Sequence, residues 1–183
     1  MNKYNDLTEN TKTSEMVYDG NFLKLYKDRI ILPNGEESGR EYIKHVGAVA
    51  MVALTDDNKV IIERQYRYPV RRVVTEIPAG KLDSYEEDRL EAAKRELREE
   101  TGITADSWEV IGDYEPVMAY SDERITIYLC RGLHKGSQEL DEDEFLNIEE
   151  IPLDELVADV MAGKITDGKT QVALLKTAAM LGN

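Results

Sequence analysis

Three glutamates are grouped closely enough to act together: Glu96, Glu99 and Glu100, in the string Arg95-Glu96-Leu97-Arg98-Glu99-Glu100. On a helix, residues three and four apart share a face, so the Glu96 carboxylate can approach those of Glu99 and Glu100 along one side. Three neighbouring anions repel one another unless a cation lies among them, and hard oxygen donors suit Mg²⁺, with Mn²⁺ also possible. A solvent-facing helix laced with Glu–Arg pairs is the ordinary meaning of such a string, so the flanking residues must decide.

They favour the cation site. Arg95-Glu96-Leu97, Glu99-Glu100 and Gly102-Ile103, with Glu87 and Gly80 upstream, resemble the Nudix box: Gly, five residues, Glu, seven residues, then Arg-Glu-aliphatic-any-Glu-Glu-any-Gly-aliphatic. Seven specified positions fall in the nine residues from Arg95 to Ile103, and seven residues separate Glu87 from Arg95 as the pattern requires. Six residues instead of five lie between Gly80 and Glu87, which reads as a one-residue insertion in the loop Asp83 to Glu86 and leaves Glu86 as the rival of Glu87 for the first glutamate. The resemblance implies that Glu96, Glu99 and Glu100 bind metal, with Glu99 also counted among the catalytic acids. Gly80, Glu87, Arg95 and Gly102 would then hold the box in shape.

Further stretches resemble ADP-ribose pyrophosphatases within that superfamily. Arg64-Gln65-Tyr66-Arg67-Tyr68-Pro69 and Thr75-Glu76-Ile77-Pro78-Ala79-Gly80 look like the approach to the box in those enzymes, where the alanine carbonyl is a metal ligand. Ala119-Tyr120-Ser121-Asp122-Glu123 resembles their Pro-Gly-aromatic-Ser/Thr-Asp-Glu turn, although Val117-Met118-Ala119 replaces the usual Ser-Pro-Gly approach. The acidic run Leu140-Asp141-Glu142-Asp143-Glu144 resembles the loop that carries an extra catalytic carboxylate, with Glu142 the first choice and Glu144 the second. Arg40 and Glu41 stand where the family contributes nucleotide or ribose contacts, sometimes across a dimer interface.

Chemistry adds to that list. A pyrophosphate diester carries two negative charges, and a planar guanidinium binds phosphate oxygens bidentately, which makes Arg67 a candidate substrate ligand. Glu76 could hold a substrate hydroxyl or orient an arginine. The expected reaction is Mg²⁺-dependent hydrolysis of a nucleoside diphosphate linked to another moiety, foremost ADP-ribose to AMP and ribose 5-phosphate. A nucleotide sugar such as GDP-mannose or an ADP-sugar is the alternative substrate. A nucleotide-sensing domain without catalysis is the alternative class, disfavoured because such domains lose box glutamates and all are present here.

The elements that must position these residues are also legible. Met16 to Tyr18, Phe22 to Tyr26 and Arg29 to Leu32 look like short strands separated by Asp19-Gly20-Asn21 and Pro33-Asn34-Gly35 turns. Arg40 to Lys44, Val46 to Leu54 and Val60 to Tyr66 extend the series, the middle run being apolar on both faces as a central strand would be. Leu90, Ala93 and Leu97 lie on one face of a helix expected from Tyr85 to Glu100, with Ser84 as N-cap and Gly102 as stop. Strands at Trp108 to Gly112 and Ile125 to Cys130 precede helices from Pro152 to Gly163 and from Thr170 to Leu181. The order reads as α+β or α/β/α, and the resemblance makes it an α+β chain of Nudix fold: an α/β/α sandwich with a mixed central sheet and an amino-terminal antiparallel region. Residues 1–44 are expected to form a tail and strands for dimerisation and substrate contact, and residues 45–183 the hydrolase domain.

Composition limits the partners. The 183 residues carry 37 Asp and Glu against 23 Lys and Arg, a formal charge of −14, which argues against a nucleic-acid polymer because that affinity comes from basic side chains. Cys130 is the sole cysteine, so a disulfide framework is excluded and a reducing compartment fits. The first ten residues lack a signal-peptide layout, and the longest apolar run is far short of the ~20 residues that span a bilayer. A cytoplasmic protein with no membrane partner is expected, with a small phosphorylated molecule as substrate; the family resemblance implies a homodimer.

Overall fold

The computed structural model of the protein describes residues 4–140 and 144–182. The chain divides into two compact units: residues up to His45 together with Val117–Glu123, and Val46–Pro116 together with the chain from Arg124 onward.

The first unit is an antiparallel meander of β1 (Asn10–Asp19), β2 (Lys24–Ile31) and β3 (Glu37–Lys44). The two short strands expected between Phe22 and Leu32 are one continuous strand. Lys27 and Asp28 do not break it because each faces an opposite charge across the β2–β3 ladder, Lys27 against Glu41 and Asp28 against Arg40. Segment Val117–Glu123 is tied to β3 by the Ile43 N–H donating to the Tyr120 carbonyl at 2.8 Å and by the Asp122 carboxylate accepting from the His45 N–H at 2.7 Å.

The second unit holds two sheets. One is mixed: β4 (Ala48–Ala53) lies between β7 (Ala79–Lys81) and β9 (Ile125–Lys135), and β8 (Ile103–Tyr114) completes the edge. Only the β4–β9 pairing is parallel. The other sheet is antiparallel, β10 (Leu146–Pro152), β5 (Lys59–Arg67) and β6 (Arg72–Glu76) in that spatial order. Every residue of β4 is buried, and the pleat sends Ala48, Ala50 and Val52 into one core and Val49, Met51 and Ala53 into the other. The first core is closed by α2 (Leu153–Met161) and α3 (Gly168–Leu181) through Leu153, Leu156 and Leu174. The second is closed by α1 (Arg89–Thr101) through Ala92, Ala93 and Leu97. Helices therefore cover both faces of a mixed sheet, the α/β/α arrangement that the family resemblance implies. No helix among the described residues is long and apolar enough to cross a membrane.

Helix α1 starts four residues later than the apolar periodicity implied. Asp88, not Ser84, caps it: its carboxylate accepts from the N–H groups of Leu90 at 2.9 Å and Glu91 at 3.0 Å. The preceding residues are held as a loop, because the Glu87 carboxylate reaches back to the Asp83 N–H at 2.6 Å. Helix α3 starts two residues earlier than expected for the same kind of reason, with Asp167 accepting from the Thr170 N–H at 2.9 Å. Strands β6, β7 and β10 were not anticipated; β7 is only three residues long and acquires its conformation from its ladder with β4.

Asp88→Ala should therefore lower the free energy of unfolding by about 1 kcal/mol in a denaturant titration, the usual worth of an aspartate cap. No change would mean that packing alone fixes the start of α1.

Candidate functional site

The box segment is a loop, a helix and a stop. Gly102 ends α1 in the left-handed region at φ 70°, its N–H bonding to the Arg98 carbonyl at 2.8 Å. A side chain there would also strike the backbone of Ser137 and Gln138. Leu97 and Ala93 anchor the helix in the core, which turns Glu96 and Glu100 towards β7. Glu100 is buried, and its carboxylate accepts from the Ala79 N–H at 3.1 Å. Glu96 lies against the next residue of β7: a methyl group on Gly80 would overlap its carboxylate. Ala79, Gly80, Glu96 and Glu100 are thus brought together by α1 packing on the β4–β7 ladder.

Arg95 binds the outer carboxylates. Its Nη1 donates to Glu96 at 2.8 Å and Glu99 at 3.2 Å, and its Nη2 donates to Glu87 at 3.2 Å. Glu87, rather than Glu86, is the acid joined to Arg95, and its second oxygen closes the enlarged loop at Asp83. Glu99 is the most exposed of the three helix acids and is shared between Arg95 and Arg98.

Electrostatically the inner acids are crowded. Burial pushes the Glu100 carboxyl far above the usual carboxylate range, and the charges of Glu63, Glu96 and Glu144 push it further. Burial also raises Glu96, partly offset by Arg95. Glu144 therefore lies close enough to act on both helix acids. Glu142 falls outside the described residues.

A hard divalent cation fits this donor set: carboxylate oxygens, a strand carbonyl at Ala79 and acids that raise one another's affinity for protons. Among the described residues no three acidic, histidine or cysteine side chains already converge on one point, and Arg95 bridges Glu96 and Glu99. Gathering them would require Arg95 to give up part of that chelate.

A second group of charges lies on β5 and β6. Arg67 donates to Glu76 through Nε and Nη2, both at 2.8 Å, and Lys169 from the first turn of α3 also binds the Glu76 carboxylate. Burial alone would raise Glu76, but Arg67 and Lys169 more than reverse it and hold the carboxyl at about 2. Both carboxylate oxygens of Glu76 are thus occupied by the Arg67 guanidinium, and Lys169 shares one of them. Arg40 and Glu41 belong to the first unit. There they line a cavity of about 460 Å³ with Asp28, Tyr42, Tyr120 and Asp122, and the Arg40 guanidinium is held by Glu9 through Nε at 2.9 Å.

Two buried charges were missed. Lys169 sits in the first turn of a helix, where the macrodipole disfavours a cation, and that mismatch was the available signal of a specific acidic partner. Glu63 interrupts the apolar run Val60-Ile61-Ile62 on a strand buried on both faces, and it is itself only 3% exposed.

Residues 44–173 match the family model of the NUDIX domain, and residues 9–43 match the nucleoside diphosphate sugar hydrolase N-terminal domain. The ADP-ribose pyrophosphatase of Bacillus subtilis (strain 168) is 39% identical over 170 residues, covering 92% of this chain and 91% of the relative. The methanol dehydrogenase activator of Bacillus methanolicus is 40% identical over 168 residues, covering 91% and 90%. A solved structure described as an ADP compounds hydrolase superposes with a TM-score of 0.83 over 96% of this chain and 95% of that one; at 23% identity it speaks for the fold.

The Glu76 cluster generates a pH prediction. Its carboxyl is lowered from an ordinary value of 4.5 to about 2, so its ion pairs contribute fully above pH 4.5 and are lost as the pH falls towards 2. The shift corresponds to about 3 kcal/mol. Glu76→Gln should cost roughly that amount at pH 7 in urea titrations, and the gap to wild type should narrow below pH 4.5. A gap independent of pH would remove the ion pairs as its cause.

Proposed function

The chain belongs to the NUDIX family, and from that premise we propose that it is a pyrophosphohydrolase acting on a nucleoside diphosphate linked to a second moiety, with ADP-ribose as principal substrate and AMP and ribose 5-phosphate as products. The observation that carries this reading is the pairing of half-buried Glu96 and buried Glu100, held against Ala79 and Gly80 inside a box that keeps all its glutamates. The relative named ADP-ribose pyrophosphatase, alike over nearly the whole of both chains, supports the choice of substrate.

Glu96, Glu99, Glu100 and the Ala79 carbonyl would hold the divalent cation, Mg²⁺ or in its place Mn²⁺. Bound there, the cation would neutralise charge on the pyrophosphate oxygens and acidify a coordinated water. Arg67 already spends Nε and Nη2 on Glu76, so the remaining Nη1 edge is the part we assign to a phosphate oxygen. Glu76 fixes the plane of that guanidinium, and Lys169 fixes Glu76. Arg95 keeps Glu87, Glu96 and Glu99 in register as a supporting residue. A loop acid, Glu142 first and Glu144 second, takes a proton from the attacking water; the new P–O bond forms at one phosphorus as the bridging oxygen leaves with the other. Arg40 and Glu41 contribute contacts to the nucleoside or ribose.

We assign the protein to the cytoplasm and to a homodimer formed through the amino-terminal region, where β1 is exposed along its whole length. Sedimentation at micromolar concentration should give the dimer mass, and a monomer would withdraw that assignment.

Activity is tested across ADP-ribose, ADP-glucose and GDP-mannose with and without Mg²⁺. Wild type should turn over ADP-ribose best and only with metal, and Glu100→Gln should lose at least 100-fold in kcat. Equal turnover by the two proteins would sink the metal assignment, a preference for GDP-mannose would replace the substrate, and no turnover at all would turn the reading to a nucleotide sensor.

A further inference from the structure

The cavity of about 460 Å³ in the first unit is lined by four acids, Glu9, Asp28, Glu41 and Asp122, and by a single base, Arg40. Three of the acids already have partners. Glu9 holds Arg40, Glu41 is paired with Lys27 at 3.4 Å, and the Asp122 carboxylate accepts from the His45 N–H. Asp28 is the exception: it is only 7% exposed, and its Oδ1 is buried with no hydrogen-bond partner. Arg40 lies directly opposite on β3 but is committed elsewhere, its Nε and Nη2 to Glu9 and its Nη1 to the Gly39 carbonyl at 2.9 Å.

A buried carboxylate oxygen without a partner is costly, and an apolar side chain like that of Ile30, which lines the same cavity from the same strand, would remove the cost. The rest of the lining says what could supply the missing partner. A carboxylate only accepts hydrogen bonds, so the partner must donate one. Phosphate is disfavoured, since the one guanidinium is bound by Glu9 and the other charges are negative. Ile30, Met118, Tyr42 and Tyr120 give the cavity apolar and aromatic walls, and the Tyr42 ring is stacked on Tyr26 with 5.7 Å between centroids. Such walls suit a flat heteroaromatic ring, and the volume lies within the roughly 300–1,000 Å³ of small-molecule sites. A sugar would use the acids but not the aromatic faces.

We propose that Asp28 is a specificity-determining residue: its carboxylate accepts a hydrogen bond from the exocyclic amine of a nucleobase seated in this cavity, so that amino-bearing bases such as adenine are favoured over bases without that amine. This rests on the reading that the substrate is a nucleoside diphosphate derivative whose nucleoside meets Arg40 and Glu41.

The test is an NMR titration of the ¹⁵N-labelled, full-length protein with adenosine and with purine riboside, which differ only in the amino group of the base, with hydrolysis of ADP-ribose measured on the same preparation. Adenosine should shift the amide signals of Asp28, Tyr42 and Ser121 and bind wild type about 10- to 100-fold more tightly than purine riboside, the usual effect of a hydrogen bond to a charged group. Asp28→Leu, similar in shape and without an acceptor, should bind purine riboside as wild type does and make the two affinities equal. Asp28→Asn keeps one acceptor oxygen and should retain part of the preference. Equal affinities in wild type, or a preference that survives in Asp28→Leu, would overturn the proposal. Signal changes that are absent, or confined to residues outside the cavity, would also overturn it, while continued hydrolysis of ADP-ribose would leave the proposed function standing. An amine preference in a protein that hydrolyses no ADP-ribose would uphold the role of Asp28 and withdraw the hydrolase reading instead.

Discussion

Like charges do not gather in a protein core without something to hold them, and the second unit gathers four acids around one short strand. Glu63, Glu76, Glu96 and Glu100 come from β5, β6 and α1, and all but Glu96 are buried. One of the four, Glu76, is neutralised by Arg67 and Lys169. Glu96 has Arg95 on its outer side, while the Glu63 Oε1 has no hydrogen-bond partner. That uneven compensation is the physical reason to read the cluster as a site: a fold optimised for stability alone would place apolar side chains here.

The rest of the second unit serves to keep the acids where they are. Strand β4, buried on both faces, fixes β7, and β7 presents the Ala79 N–H to Glu100 and a bare Gly80 to Glu96. Core contacts through Leu97 and Ala93 fix the rotation of α1, its Asp88 cap fixes the start, and Gly102 fixes the end. From the other side of the sheet α3 sends Lys169 to Glu76 and the Thr170 hydroxyl to the Ile77 N–H at 3.0 Å, so the approach to β7 is held by both helical layers. Two halves of the unit, distant in sequence, thus meet at a single tripeptide strand.

How much of this was legible in the sequence depends on how local each determinant is. Glu96, Glu99, Glu100 and Arg95 lie on one helix, and periodicity with the box spacing was enough to group them. The doubly apolar run marked β4 as a central strand, while the element order left α+β and α/β/α both open and only the family resemblance pointed to the sandwich. The start of α1 was misread because hydrophobic period cannot see that Glu87 ties down the loop, leaving Asp88 as the cap. Glu63 and Lys169 escaped notice because what they meet lies on other elements: Glu63 faces Glu76 across the β5–β6 ladder, and Lys169 reaches Glu76 from α3. The ambiguity between Glu86 and Glu87 needed only one contact, that with Arg95, which spacing could not supply.

The central claim is that the acids on α1, against β7, are a divalent-cation site. The most direct measurement is a crystal structure of the protein grown with Mn²⁺, with anomalous diffraction used to locate the metal. The account predicts an anomalous peak within ligand distance of the Glu96 and Glu100 carboxylates, about 2.1–2.3 Å, with Arg95 drawn away from Glu96. A peak elsewhere, or no peak beside those carboxylates at saturating Mn²⁺, would contradict it.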